Sequence, residues 1–310
     1  MKKILSIDGG GIRGIIPAMV LAEIETKSGK AIGSSFDLLA GTSTGGILAL
    51  CLAIKDERSG APKFSAKDLV DIYQKRGKEI FPRSLWKGVS SVAGIADEKY
   101  SHKGLEKVLE DYFDGEPLGA SLTKVLVTSY DIQDRIPVFF KSWKEDHKHV
   151  EMRYVARATS AAPTYFEPAL VPVGSAMKAL IDGGVFVNNP SVSAYAEAIR
   201  IFPDEKEFFL VSLGTGQLNR PIAYSEAKDW GMASWLVPLM SCMFDGMSDA
   251  ADYQVKQFLG DNYVRLQVSL ANGSDDMDDV TNGNMENLKA DARQLIKTHT
   301  DEIKKICSLI

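Results

Sequence analysis

Short apolar runs alternate along this chain with longer stretches in which apolar positions recur every three or four residues, the order expected of a parallel sheet with helices on its faces. The runs predict strands at Ile4–Asp8, Phe36–Ala40, Lys124–Tyr130, Val138–Lys141, Met177–Ile181, Phe208–Leu213 and Tyr263–Val268. Helical periodicity predicts helices at Ile15–Lys27, Gly45–Ile54, Ala66–Ile80, His102–Phe113, Glu151–Ala158 and Ser191–Ile201, a long one within Ser225–Leu259, and Met285–Leu309 interrupted near Thr298. Ser65 and Asp68 form a capping box for the helix starting at Ala66. The loops Ser59–Pro62, Gly115–Ser121 and Asn272–Asn284 are too short and too varied for domain linkers, and no segment repeats. A single α/β domain over 1–310 is expected, with a motif-bearing core at about 1–216 and a helical C-terminal part at about 225–310.

The chemistry sits at the ends of these strands. Asp8-Gly9-Gly10-Gly11-Ile12-Arg13-Gly14 follows the first strand and Gly41-Thr42-Ser43-Thr44-Gly45-Gly46 the second, so the two loops should share one edge of the sheet. The second loop has the G-x-S-x-G pattern between an apolar strand and a helix, the context of a nucleophile elbow, and marks Ser43. In the first, glycines permit close backbone approach, and N–H groups at a helix start favour an anion. A third element, Leu180-Ile181-Asp182-Gly183-Gly184, again ends a strand in a carboxylate. Asp182 could accept the Ser43 proton directly, but a carboxylate of ordinary pKa, about 3.9, must be desolvated to act as a base. Such a dyad suits esters better than amides.

Other readings stand beside this one. Gly9, Gly11 and Gly14 also satisfy G-x-G-x-x-G, yet the acid that a dinucleotide site wants after the second strand is missing, since Asp37 precedes most of that strand. Asp182 before two glycines is also an ordinary turn residue. A Ser–Asp–His triad would use His299, which follows in the order of α/β-hydrolases, although its Thr-His-Thr setting reads as a surface junction between helices. His147 and His149 fall in the charged run Lys144–His149, read as a solvated turn, and His102 at a helix start.

Composition narrows the setting. With 310 residues, 45% hydrophobic and 25% charged, the chain can bury a large core, and its formal charge of −5 supplies no basic stripe for nucleic acid. Cys51, Cys242 and Cys307 are widely spaced and form no C-x-x-C pair, which fits a reduced compartment. The apolar run after Met1-Lys2-Lys3 is too short for a signal-peptide core, and no window approaches the ~18 apolar residues of a membrane span, so a cytoplasmic location is expected. Read as a calcium loop from Asp278, the acidic segment Asp275–Asn284 puts Val280 and Lys289 where oxygen ligands belong, and that reading fails.

With Ser160-Ala161-Ala162-Pro163-Thr164-Tyr165-Phe166, Ser212-Leu213-Gly214-Thr215-Gly216 and a tail containing Met277-Asp278-Asp279 and Asn284-Met285-Glu286-Asn287-Leu288, the three glycine elements resemble the patatin-like phospholipase family in the family's own order. The resemblance implies a three-layer fold, a mostly parallel central sheet with helices on both faces. It also implies a lipid acyl hydrolase with Ser43 as nucleophile, Asp182 as general base, the Gly10 and Gly11 N–H groups in the oxyanion hole and Arg13 assisting near it. Gly9, Gly14, Gly41, Gly45, Gly183 and Gly184 belong to the same motifs. No metal or organic cofactor is implied. The partner is lipid at a membrane or micelle surface, reached peripherally. Asn188-Asn189-Pro190 departs from plant storage patatins and is similar to many bacterial-type members. Within the family, a signal-gated phospholipase effector and a storage-type protein with little constitutive activity remain alternatives. Trp230–Phe244, apolar but interrupted by Pro238, is expected to pack in the core or else to line an acyl channel. Phe81–Ile95 is read as a lid, an interfacial loop or simple packing.

Overall fold

Side chains of a strand alternate between faces, and in β1 (Lys2–Ile7) Leu5 and Ile7 join one apolar cluster while Ile4 joins another. In the computed structural model, which describes residues 1–81, 101–217 and 221–310, β1 leads through a 3-10 turn (Gly11–Gly14) into α1 (Ile15–Ser28), α2 (Ile32–Ser35), β2 (Leu38–Gly41), α3 (Thr44–Ala53), α4 (Ala66–Ile80) and α5 (His102–Phe113). There follow β3 (Lys124–Asp131), β4 (Ile136–Lys141), α6 (Glu145–Lys148), α7 (Met152–Thr159), β5 (Ala169–Val173), β6 (Ala176–Asp182), α8 (Ser191–Ile201), β7 (Phe208–Leu213), α9 (Tyr224–Ala227), α10 (Met232–Leu259), β8 (Tyr263–Leu266), α11 (Asn282–Thr298) and α12 (Thr300–Leu309). The larger cluster joins one sheet face to α1, α3, α4, α5, α7, α11 and α12; the smaller joins the other face to α8 and α10. The result is the three-layer α/β arrangement expected, with the C-terminal helices sharing the core of the motif-bearing half.

The register of β3 positions the site. β2, β1, β7 and β8 continue from β3 as parallel neighbours, whereas β4, β6 and β5 attach antiparallel. β4 pairs with Leu126–Asp131, overlapping the residues bonded by β2 (Lys124–Val127) and those bonded by β6 (Ser129–Asp131). β2 and β6 therefore occupy the same edge of β3, one on each half, and run toward each other. The end of β2, Gly41, lies beside Val127 and the end of β6, Asp182, beside Ser129. Two strands that meet head-on bring their terminal loops together, and those loops carry Ser43 and Asp182.

Local signals held where local physics decides. Both halves of the Ser65–Asp68 capping box form, and α4, α5 and α8 have the expected limits. β5 escapes the sequence reading because Pro172 interrupts it; proline is tolerated there since β5, among the described residues, is an edge strand paired with β6 alone. Pro238 does not end α10. Proline has no N–H, so the carbonyl of Ser234, four residues earlier and itself exposed, loses its helical donor there. The run Lys144–His149 is not a solvated turn: it forms α6, and His147 is buried against Phe140, its Nδ1 accepting the Lys141 N–H at 3.2 Å. Burial pushes the His147 pKa down to about 4, so its ring is neutral near pH 7.

Candidate active site

Gly41–Gly46 turns sharply from β2 into α3, and the turn leaves Ser43 at φ 54 and ψ −125, a region costly for any residue with a side chain. Two features hold it there. The Ser43 N–H donates to Thr159 Oγ1 at 2.8 Å, and Thr42 Oγ1 bonds Thr128 Oγ1 and the Val187 carbonyl, each at 2.8 Å. Gly45 lets the elbow close, because a Cβ there would stand 2.2 Å from the Ile7 carbonyl oxygen, and Gly41 packs as tightly on the Gly45 carbonyl. Ser43 thus sits partly exposed at the N-terminus of α3, where the helix dipole favours negative charge.

The Gly9–Gly14 loop lies beside it. Gly9 donates its N–H to the Asn188 carbonyl at 3.2 Å and accepts the Thr215 hydroxyl at 2.7 Å, which explains the Ser212–Gly216 motif as a clamp on this loop. Gly11 has φ +57 and its Cα abuts the Met277 carbonyl, so a side chain fits neither sterically nor conformationally. Among the described residues, neither the Gly10 nor the Gly11 N–H donates to a protein acceptor. The Gly10 carbonyl, in contrast, accepts from the Arg13 N–H at 3.2 Å and from Arg13 Nε at 3.4 Å. A peptide is planar and trans, so holding that carbonyl aims the Gly11 N–H the opposite way. Arg13 is buried and does not line the cavity; burial disfavours its charge, which Asp275, Asp245 and Asp276 offset. Gly14 closes the loop against Thr44 and Tyr73.

Asp182 ends β6 with its N–H on the Ala161 carbonyl at 3.0 Å, and its Oδ1 accepts the Gly184 N–H at 2.7 Å, while Gly183 packs on Thr128. Asp182 is 5% exposed, and burial pushes its pKa up to about 7 even though the Ser43 hydroxyl and the Gly184 amide both favour the charged form. The desolvation that the sequence reading required is present.

Gly10, Gly11, Ser43, Asp182 and Asn188 line one cavity, whose walls are otherwise mostly apolar and include Ile12, Ile47, Ile80, Tyr165, Phe166 and Phe244. No histidine lines it, and His299 Nδ1 instead sits 3.1 Å from the Leu295 carbonyl at the α11–α12 junction. Thr159, Asn188, Thr215 and Met277 are parts of the site that sequence reasoning left without roles; all four lie in or beside the motifs that carry the family resemblance, which was the available signal. Of Trp230–Phe244, the side chains of Met232, Leu239 and Met243 are exposed, so the expected core packing does not extend to them, while Phe244 lines the cavity; farther along α10, Ala251 and Val255 are buried. Of the lid reading, Phe81 lines the cavity and residues 82–95 lie outside the described residues.

Below the loop, Asp8 and Arg265 of β8 form a bidentate pair at 3.0 and 2.6 Å, and Arg265 also bonds Ser212 Oγ at 2.8 Å. Nothing in the local sequence of Arg265 announces this pairing. Asp8→Ala would strand the arginine charge in the interior, and a loss of about 3–5 kcal/mol in denaturant unfolding is expected. Asp8→Leu combined with Arg265→Met should recover most of it. A loss below about 1 kcal/mol in the single variant would show that water reaches Arg265.

A sequence model of the patatin-like phospholipase family matches residues 5–195. The chain is 32% identical to patatin-like protein 3 of Arabidopsis thaliana, over 97% of this chain and 82% of that one. It is 30% identical to patatin-04/09 of Solanum tuberosum, over 100% of this chain and 90% of the other. Among solved structures, VipD from Legionella pneumophila aligns with a TM-score of 0.49 at 15% identity, over 96% of this chain and 67% of that one.

Proposed function

This chain belongs to the patatin-like phospholipase family, and on that premise we propose that it is a serine lipid acyl hydrolase releasing fatty acid from phospholipids or other acyl glycerolipids through a Ser43–Asp182 dyad. The observation that carries this reading is the buried Asp182 carboxyl, pushed up to about 7 by desolvation, lining the same largely apolar cavity as Ser43, whose hydroxyl favours its charged form. An ordinary carboxylate is too weak a base for a serine hydroxyl; a desolvated one is matched to neutral pH. Ser43 attacks the ester carbonyl as Asp182 takes its proton, and the oxyanion accepts from the Gly10 and Gly11 N–H groups. Each such donor contributes about 3 kcal/mol to the transition state. The proton then passes from Asp182 to the leaving alcohol, giving an acyl-Ser43 ester, and water activated by Asp182 releases the fatty acid. Arg13 holds the Gly10–Gly11 peptide in its donating orientation. Among the described residues no helix is long and apolar enough to cross a membrane.

The test is fatty-acid release from mixed phospholipid vesicles, with and without candidate nucleotides, together with turnover of a soluble short-chain ester across pH. Release by the wild type is expected. On the soluble ester, kcat/KM should rise with pH through a limb near 7, because Asp182 works ionised. Release only with a nucleotide would make the protein a gated effector, and no turnover of any ester would leave a storage or binding role. A limb at the ordinary carboxylate position would mean that the catalytic carboxyl is not desolvated, and would overturn the argument for Asp182 as a base matched to neutral pH.

A further inference from the structure

Protein interiors are close-packed, so an apolar void beside a reactive serine calls for an occupant. Ser43, Ile47 and Cys51 are spaced four residues apart and stack along one face of α3. Ile47 borders the Ser43 cavity and also a second, almost wholly apolar cavity enclosed by α3, α4 and α5; Tyr73, Ile80 and Leu105 border both. Farther along, only the second cavity is reached by Cys51, Ile72, Val108, Leu109, Tyr112 and Phe113. The order on each helix runs the same way: Leu105 of α5 is near the serine and Phe113 far, while Ile80 of α4 is near and Ile72 far. The Tyr73 hydroxyl is engaged by Thr44 Oγ1, leaving its ring to the cavity. From Ser43 to Cys51 the helix rises about 12 Å, comparable to an extended medium-chain acyl group.

We infer that the substrate's acyl chain lies along this face of α3, past Ile47, Ile80 and Leu105, and that Val108 and Phe113 close the far end and set a medium-chain limit. The inference rests on the hydrolase reading above and concerns where that enzyme puts the chain and how long the chain can be. The experiment uses the wild-type protein and an alkyl phosphonofluoridate with a tail of about ten carbons, the span of the α3 face, and a diazirine at its terminal carbon. Ser43 Oγ forms the P–O bond, fluoride leaves as the P–F bond breaks, and Asp182 takes the hydroxyl proton. Photolysis is expected to crosslink the tail to peptides containing Ile47–Cys51 and Leu105–Phe113. Crosslinks confined to α10, to Tyr165–Phe166 or to any other segment overturn the channel while leaving the hydrolase reading intact. Absence of an adduct on Ser43 counts against the hydrolase reading instead, and the same tail as a free fatty acid then tests the channel alone by the same crosslinks. In folded Val108→Phe protein the ratio of kcat/KM for decanoyl over butyryl esters should fall about tenfold or more; an unchanged ratio overturns the assigned end of the channel. Should that variant not fold, the wild-type crosslinks decide.

Discussion

Ser43→Ala is expected to lower ester hydrolysis by at least ~10⁴-fold, with the protein folded and the Asp182 carboxyl driven still higher in pKa because its hydrogen-bond donor is gone. The size follows from the chemistry: without the nucleophile no acyl-enzyme forms, and only oxyanion stabilisation and binding remain. The backbone offers a second readout. Alanine keeps the costly conformation at φ 54 and ψ −125, while glycine adopts it without a Cβ penalty, so Ser43→Gly should be equally inactive yet more stable than Ser43→Ala by about 1 kcal/mol. Thermal melts and a sensitive esterase assay on the two variants decide it. Turnover within tenfold of wild type in either variant would hand the nucleophile role to another group.

Asp182→Asn should cost about 10³–10⁴-fold in kcat, because the amide keeps the Gly184 hydrogen bond but cannot accept a proton. The same substitution should stabilise the fold in a pH-dependent way. In the native state the carboxyl titrates at about 7 instead of 3.8, so across that window the native protein holds a proton that the unfolded chain has lost. Wild-type stability therefore falls as pH rises from about 4 to about 7, by at most ~4 kcal/mol if the whole shift is expressed. Asparagine carries no such penalty. Its advantage should be largest near pH 8 and vanish below about pH 4, where both states of the wild type are protonated. Unfolding curves at the two pH values test this. A pH-independent difference would mean that Asp182 is solvated in the native protein, and the argument for its basicity would go with it.

Both predictions trace to one arrangement: a strained elbow and a dry carboxyl held by a rigid sheet, with the supporting bonds coming from distant segments. Thr159 fixes the Ser43 amide, Ala161 the Asp182 amide and Thr215 the Gly9 carbonyl. The motifs to which the sequence assigned no chemistry, Ser160–Phe166 and Ser212–Gly216, supply or adjoin these supports. Asn188 adds a link from the Asp182 turn to Gly9 through its carbonyl and to Ser248 of α10 through its side chain at 3.1 Å, so the site rests on both layers of helices.

The sequence by itself determined what depends on neighbours along the chain. The elbow around Ser43, the glycine loop after β1, the capped start of α4 and the alternation of strand and helix are set by backbone sterics, capping and periodicity within a few residues. They were legible for that reason, and so was the family. Only the tertiary structure decided what depends on strands meeting: that β2 and β6 share one edge of β3 and bring Ser43 to Asp182, that Arg265 reaches Asp8, and that Arg13 grips the Gly10 carbonyl instead of facing the cavity. The same holds for which side of α10 is covered and for the edge strand β5. A side chain's chemistry is written in its own letter, but its solvation is contributed by residues far away in sequence. Burial by those residues turns Asp182 from an ordinary carboxylate into a group that titrates near neutral pH.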